Sequence, residues 1–127
     1  MSVPFDPTIL TRRTTADLSS SEYLLVVPDG DDDLALAGAG AAVLGALSNN
    51  VGDGSGSDAV YVSVQIGGII KVKTAETMVA GQLATSNGSG LAVIADTADD
   101  YFFGIALESH TSGDIGTFLY APGGQIN

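Results

Sequence analysis

The sequence contains no cysteine and no tryptophan, and it has a single histidine, His110. Without thiols the chain can form neither a disulfide nor a thiolate metal site, and its redox compartment stays open. With one histidine, a zinc site would need three carboxylates, which is an uncommon ligand set. Ser109 precedes His110, but neighbours in sequence do not form a catalytic pair, and no Gly-x-Ser-x-Gly motif is present. We therefore expect no enzymatic activity, no cofactor and no small-molecule substrate.

Basic residues are also scarce, since four Lys and Arg stand against fifteen Asp and Glu, for a net charge of -11. Such a surface repels phosphate backbones and anionic lipids, so we expect neither nucleic acid nor membrane as a partner. The abundance of aspartate fits either a high-salt habitat or simply a soluble, self-repelling surface. The four basic residues form two pairs, Arg12 with Arg13 and Lys71 with Lys73. The two lysines alternate on one face of a predicted strand and point to solvent, to aspartates or to a partner.

Long apolar runs are missing as well. The longest one, residues 34–47, has 14 residues and is too short to span a bilayer. The N-terminal segment has no positive stretch followed by an apolar core, so we do not expect a signal peptide. These features predict a soluble protein of one domain, given the length of 127 residues.

Seventeen glycines and many short apolar runs indicate strands joined by tight turns. In residues 60–66 apolar and polar residues alternate with period two, which predicts the clearest strand. Residues 69–73 either continue this strand or return as its hairpin partner. Residues 101–120 contain three of the four Phe and two of the four Tyr. They predict a closing hairpin that seeds the core, ended by residues 122–124.

The Ala- and Gly-rich residues 34–47 are ambiguous. Three aspartates before an Ala/Leu run suggest a helix start. However, Gly38, Gly40 and Gly45 would each cost about 1 kcal/mol inside a helix. We favour two short strands around Gly38–Gly40, and we leave the helix open. Further short strands are expected at residues 22–27, 82–85 and 91–94, and residues 74–80 form a connection or one helical turn.

Residues 1–21 indicate an extended N-terminal arm that precedes the domain of residues 22–127. Pro4 and Pro7 block regular pairing, and the segment is otherwise rich in Thr, Ser and charge. Its apolar residues are too scattered to form a core element alone. Such a segment is either disordered or ordered by lying on a partner.

Two acidic stretches are candidate calcium sites. Asp29, Asp31 and Asp33 are spaced as in an EF-hand loop, but Leu34 replaces the required glycine and Gly40 replaces the final glutamate. Residues 52–58 are similar to a calcium-binding β-roll turn but do not repeat, which favours a linker. A weak calcium site stays open.

From residue 41 onward the order of features resembles the capsid cement, or head decoration, proteins of tailed viruses. The resemblance is carried by AAVLGAL (41–47), VYVSVQIGGIIKVKTAE (60–76), AGQL (80–83) and GIALESHTSGDIGTFLYAPGG (104–124). In that family a G-x-A-L-E strand, a G-D turn and a last apolar strand close a small domain. The resemblance therefore implies an all-β fold, a small β-barrel or β-tulip-like domain with an extended N-terminal arm.

The resemblance also implies a non-enzymatic virion protein, made in the host cytoplasm, that binds the outer surface of the major capsid protein lattice. Such a protein would be a homotrimer and would stabilise the head. The capsid-contact candidates lie in the arm; they are Phe5, Ile9, Leu10, Arg12 and Arg13. The alternative is a carbohydrate- or calcium-binding β-module on a virion or cell surface, which would use acidic loops and exposed Tyr61 and Tyr101.

Overall fold

The computed structural model describes residues 8–14, 21–30, 33–48 and 60–126, and for Arg13 and Val60 it describes the backbone alone. These residues form strands, turns and loops, with no helix among them. The strands are β1 (Thr8–Thr14), β2 (Leu25–Pro28), β3 (Leu34–Leu36), β4 (Gly45–Leu47), β5 (Val60–Gly67), β6 (Ile69–Lys73), β7 (Leu83–Ser86), β8 (Ala92–Ile94), β9 (Tyr101–Ala106) and β10 (Ile115–Gln125). The prediction of an all-β fold is confirmed. None of the described segments is a helix long and apolar enough to cross a membrane.

The strands form two antiparallel sheets of five strands each. The first sheet has the order β1-β5-β4-β2-β3 and the second has the order β6-β10-β9-β7-β8. In each sheet the two edge strands contact each other at one point. Thr14 Oγ1 of β1 donates to Asp33 Oδ1 beside β3 over 2.9 Å, and Thr74 after β6 forms an isolated parallel bridge with Ala92 of β8. Among the described residues the edge strands of each sheet form no continuous ladder of backbone hydrogen bonds with each other. The sheets therefore do not close into a barrel.

Two clusters of buried hydrophobic residues pack against the faces of the sheets. The larger one joins the inner face of the second sheet to Leu25 and Ala46 of the first, and it contains Phe103 and Phe118 with ring centroids 5.2 Å apart. The smaller one lies on the other face of the first sheet; it contains Val26, Leu34, Leu47, Val62 and Val64. The prediction that the closing hairpin supplies the aromatic core is confirmed, because these two Phe are among the largest fully buried side chains.

The predicted strand at residues 60–66 is confirmed, but the next strand is neither its continuation nor its hairpin partner. The chain turns at Gly68, whose φ is +71°, and β6 joins the other sheet. The two strands stay connected through the Gln65 side chain. Its Nε2 donates to the carbonyls of Leu47 (3.2 Å) and Lys71 (3.0 Å), and its Oε1 accepts from Lys71 N (2.9 Å).

Residues 34–47 contain two short strands, as favoured from the sequence, and no helix. β3 and β4 both pair with β2 and flank it on either side. Glycine is required in β4, since a Cβ on Gly45 would lie 2.3 Å from the carbonyl oxygen of Gln65. The close approach of β4 to β5 therefore explains a glycine that a helix would disfavour.

Two further sequence-based expectations differ from the structure. Residues 74–80 form no helical turn; instead Met78 is buried and forms an isolated bridge with His110. Residues 122–124 do not end the last strand, because β10 continues to Gln125 past a bulge between Tyr120 and Gly124. Gly123 supplies the positive φ of +109° that this irregular stretch needs. Pro122 is tolerated there because a bulge leaves its position outside the regular ladder.

Candidate interaction surfaces

The predicted capsid-contact residues fall on or before β1. Ile9, Leu10, Arg12 and Arg13 lie in this strand, which pairs with β5 at the edge of the first sheet. Ile9 is exposed, whereas Leu10 and Arg12 are half-buried on the opposite face of the strand. Phe5 lies outside the described residues. The structure thus places three candidate side chains on two faces of an edge strand, and part of the expected arm is a paired element.

His110 packs inside the closing hairpin. Its ring meets the Phe118 ring edge-on at a centroid distance of 5.5 Å. The ring also covers Gly116, where an added Cβ would lie 2.6 Å from His110 Cδ2 and Nε2. Both ring nitrogens are buried and have no hydrogen-bond partner among the described residues. The neighbouring Ser109 Oγ accepts from Ala80 N over 3.4 Å, so the structure gives both residues local packing contacts.

A polar cleft of about 380 Å³ opens beside β7 and β8. Its lining includes Glu76, Asp96 and Asp100. Glu76 Oε1 accepts from Ile94 N over 2.7 Å, and Asp96 Oδ1 accepts from Thr97 Oγ1 over 3.4 Å. Within the part of the chain that the structure describes, no three His, Asp or Glu side chains cluster as metal ligands would.

The structure describes only some of the residues of the two candidate calcium sites. Asp29 is exposed and Asp33 is half-buried, but Asp31 lies outside the described residues. Asp33 Oδ1 also accepts from Leu34 N over 2.9 Å, as a residue does at the start of a strand or turn. The loop of residues 52–58 also lies outside the described residues. The weak calcium site therefore stays a prediction.

The outer face of the second sheet carries a row of aliphatic side chains across four strands. In the ladders Ile69 of β6 pairs with Leu119 of β10, Leu119 with Ile105 of β9, and Ile105 with Leu83 of β7. Directly paired residues lie on the same face of a sheet, so the four side chains are neighbours. Leu119 is 41% exposed and the other three are half-buried.

Further exposed or half-buried residues border this row. Ile115 (46% exposed) pairs with Lys73, Thr117 pairs with Lys71, and Leu107 (43% exposed) donates its N–H to the Thr117 carbonyl. Both lysines are exposed. We call the surface formed by the row and its border the aliphatic face; it comprises Ile69, Lys71, Lys73, Leu83, Ile105, Leu107, Ile115, Thr117 and Leu119.

Sequence reasoning missed the aliphatic face because it assigned the apolar residues of the closing hairpin to the core. The sequence did contain a signal for this face, namely the alternation of residues along β10. Gly116 and Phe118 are buried, whereas Ile115 and Leu119 are exposed. A single strand cannot show which of its two faces is covered. The ladders that align Ile69, Ile105 and Leu83 with Leu119 follow from tertiary structure alone.

The exposure expected for two tyrosines is confirmed. Tyr61 is 70% exposed on β5 and Tyr101 is 42% exposed on β9. They belong to different sheets. Tyr101 follows Asp100, a residue of the polar cleft, and donates its backbone N–H to the Gly40 carbonyl over 3.0 Å.

No protein-family model and no curated protein matches this chain. Among solved structures, the chain is similar to the N base of the head fiber gp8.5 of bacteriophage phi29. The TM-score is 0.70 with 20% sequence identity, and the match covers 90% of this chain and 95% of the other. At this identity the likeness shows a shared fold. The resemblance to capsid-associated proteins of tailed viruses is thereby confirmed at the level of the fold.

Proposed function

We propose that this protein is a structural component of a tailed-virus head, with no enzymatic activity. The observation that carries the proposal is the likeness to a phage head fiber base over nearly the whole of both chains. A shared fold does not by itself imply a shared function. The order of the closing strands, read independently from the sequence, supports the same class of protein.

In the proposed function the protein decorates the outer surface of the capsid and cements it. It is made in the host cytoplasm, assembles as a homotrimer and binds the major capsid protein lattice. A subunit that binds neighbouring capsid proteins in the assembled lattice stabilises that lattice by mass action. Three copies in one trimer also turn weak individual contacts into a high combined affinity, because each later contact is intramolecular.

The described part of the N-terminal segment supports a narrower proposal for the capsid contact. β1 pairs with β5, and its Thr14 is fully buried against the rest of the first sheet. Residues 1–7 come before this strand in the sequence and lie outside the described residues. We propose that they extend onto the capsid protein together with the exposed side of β1, and that Arg13 contacts acidic groups there.

The test is copurification of the protein with capsids assembled from the major capsid protein of the same genome. We expect saturable binding of the full chain, and reduced occupancy after deletion of residues 2–7 or after Arg13→Ala. Deleting residues 2–20 would be less informative, because it also removes β1 from the sheet. Thr97→Ala, an exposed change in the loop between β8 and β9, is the control and should retain occupancy. If the full chain does not bind the capsid, the proposed function is wrong.

One observation favours the alternative, a carbohydrate- or calcium-binding module. The polar cleft is open and acidic, and an exposed tyrosine follows one of its residues in sequence. Aromatic and acidic side chains together are suited to sugar hydroxyls. A melting temperature that rises with calcium or with oligosaccharides, and that no longer rises in Asp96→Asn, would support this alternative over the capsid.

A further inference from the structure

β1 and β5 present an exposed two-stranded surface at one edge of the first sheet. Tyr61 of β5 pairs directly with Arg13 of β1, and Ser63 pairs with Thr11. Directly paired residues lie on the same face of a sheet, so these positions share one face. Tyr61 is 70% exposed, Thr11 is exposed and Ser63 is half-buried. We call this surface, which also includes the exposed Ile9, the Tyr61 face.

The two sides of β5 have different environments. Val62 and Val64 are fully buried in the smaller cluster of hydrophobic residues. On the other side, Gln65 is buried where the end of β5 lies against β6 and bonds to the Lys71 backbone. Tyr61 is on the same side as Gln65 but four residues away from this contact. The Tyr61 face is therefore an outer surface and not a part of the core.

The two strands differ in charge from the rest of the chain. Together β1 and β5 contain two arginines and no acidic residue, whereas the whole chain has fifteen Asp and Glu and a net charge of -11. Tyrosine and arginine are also the residue types that often contribute most of the binding energy at protein interfaces. An exposed tyrosine opposite an arginine, on strands without carboxylates, fits an acidic protein partner. A long polyanion such as nucleic acid fits less well, because the rest of the chain repels it.

We propose that Tyr61 and Arg13 together bind one carboxylate of an acidic segment of the capsid protein. The inference rests on the proposed function, and it adds β5 and a tyrosine to a contact assigned there to β1 and the residues before it. A guanidinium group can bind a carboxylate through two parallel N–H bonds, and a tyrosine hydroxyl can donate a third hydrogen bond to it.

Ile9 defines the other end of the contact. It is 46% exposed and lies four residues before Arg13 on the same face of β1, a distance of about 13 Å along a strand. The partner segment therefore carries an apolar side chain for Ile9 about four residues away from its carboxylate, if it lies extended along β1. This spacing sets the register of the segment on the Tyr61 face.

The experiment measures the dissociation constant of the full chain for capsids assembled from the major capsid protein of the same genome, by cosedimentation. We expect Tyr61→Ala to weaken binding at least about tenfold, because it removes both the ring and the hydroxyl from the contact. Tyr61→Phe keeps the ring and should lose less. Tyr101→Ala is the matched control, since Tyr101 is an exposed tyrosine of the second sheet. It should leave the dissociation constant unchanged.

A double-mutant cycle tests whether Tyr61 and Arg13 share one ligand. Arg13→Ala should also weaken binding at least about tenfold. The double variant should lose less than the product of the two single losses, because residues that contact the same group are coupled. Circular dichroism and thermal melting show whether each variant retains the fold. Tyr61→Thr, which keeps a residue favoured in strands, replaces Tyr61→Ala if the latter does not fold.

The inference is overturned if folded Tyr61→Ala binds capsids as the unmodified chain does, or if the two single losses multiply in the double variant. It is also overturned if Tyr61→Ala weakens self-association in sedimentation equilibrium and leaves capsid binding intact, because a second copy is then the occupant. Failure of the proposed function would look different. In that case the unmodified chain would not bind capsids at all, and the inference would fail with it.

Discussion

Gln65 is a buried polar residue whose side chain joins the two sheets. It is 4% exposed and makes hydrogen bonds to the backbone of Leu47 in the first sheet and of Lys71 in the second. The alternation of residues 60–66 assigns Gln65 to the polar side of its strand, together with Tyr61. The structure buries it because the end of β5 lies against β6.

Replacing this residue tests its role. We expect Gln65→Leu to lower the free energy of unfolding by about 2–4 kcal/mol, because backbone groups of Lys71 and Leu47 lose their partner in a buried place. Urea unfolding measures the effect. Ser63→Ala, a smaller change on the same strand, should stay within about 0.5 kcal/mol. Equal effects of the two changes would contradict the role of Gln65 as a link between the sheets.

Tyr120 gives the protein a predicted sensitivity to alkaline pH. Its hydroxyl donates to the Leu44 carbonyl, and burial raises the pKa of Tyr120 above 10.0. The unfolded chain then loses this proton at lower pH than the folded chain. The contribution to stability is therefore complete below about pH 10 and is lost as the pH rises through the folded pKa.

We expect the free energy of unfolding to fall less steeply above pH 10 in Tyr120→Phe than in the unmodified protein. Urea titrations between neutral and alkaline pH measure the two slopes. Tyr61→Phe is the comparison, because it removes the hydroxyl of a tyrosine that is 70% exposed. Parallel curves for the unmodified protein and Tyr120→Phe would contradict the prediction.

At the scale of elements, the closing hairpin is the part of the fold that sequence reasoning located best. Its two strands, its turn at residues 112–114 and its burial of Phe103 and Phe118 agree with expectation. Gly113 has a φ of +95°, and Asp114 Oδ2 accepts from Thr111 N over 3.1 Å. The residue preferences of a turn depend on neighbouring residues alone, so a turn can be predicted from the sequence.

The packing of His110 over Gly116 inside this hairpin is testable. We expect Gly116→Ala to lower the free energy of unfolding by about 1–3 kcal/mol, because the added methyl overlaps the imidazole. His110→Ala should relieve most of that loss, and a double-mutant cycle in urea measures the coupling. Gly88→Ala is the control, since no atom lies within 4 Å of its added Cβ. Additive effects at positions 110 and 116 would contradict the contact.

The edge strand β1 shows where reasoning about elements was insufficient. Residues 8–14 lie in a segment that has two prolines nearby and few apolar residues, which favoured an arm. In the structure this segment pairs with β5 over its whole length. Backbone hydrogen bonds to a neighbouring strand require no particular side chains, so composition alone does not reveal an edge strand. The arm expected for residues 1–21 therefore stays a prediction for residues 1–7 and 15–20, which lie outside the described residues.

At the scale of the whole molecule, the net charge of -11 predicts a stability that depends on salt. Folding brings the carboxylates together, and counter-ions screen their repulsion within a Debye length of about 10 Å at 0.1 M salt. We expect the melting temperature to rise with potassium chloride, most steeply at low concentration. Asp96→Asn/Asp99→Asn, which removes two exposed charges, should weaken this dependence. A melting temperature that does not change with salt would contradict the prediction.

The sequence alone determined the fold class, most strand positions and the location of the aromatic core. These properties depend on local signals, namely residue alternation, glycine-rich turns and the clustering of large side chains. Only the tertiary structure decided that β5 and β6 belong to different sheets, that Gln65 is buried, and that Leu119 aligns with Ile69, Ile105 and Leu83. Which strand pairs with which, and which face is left uncovered, depends on contacts between residues far apart in the chain. The short strands of this protein carry too few residues to encode those contacts in their own pattern.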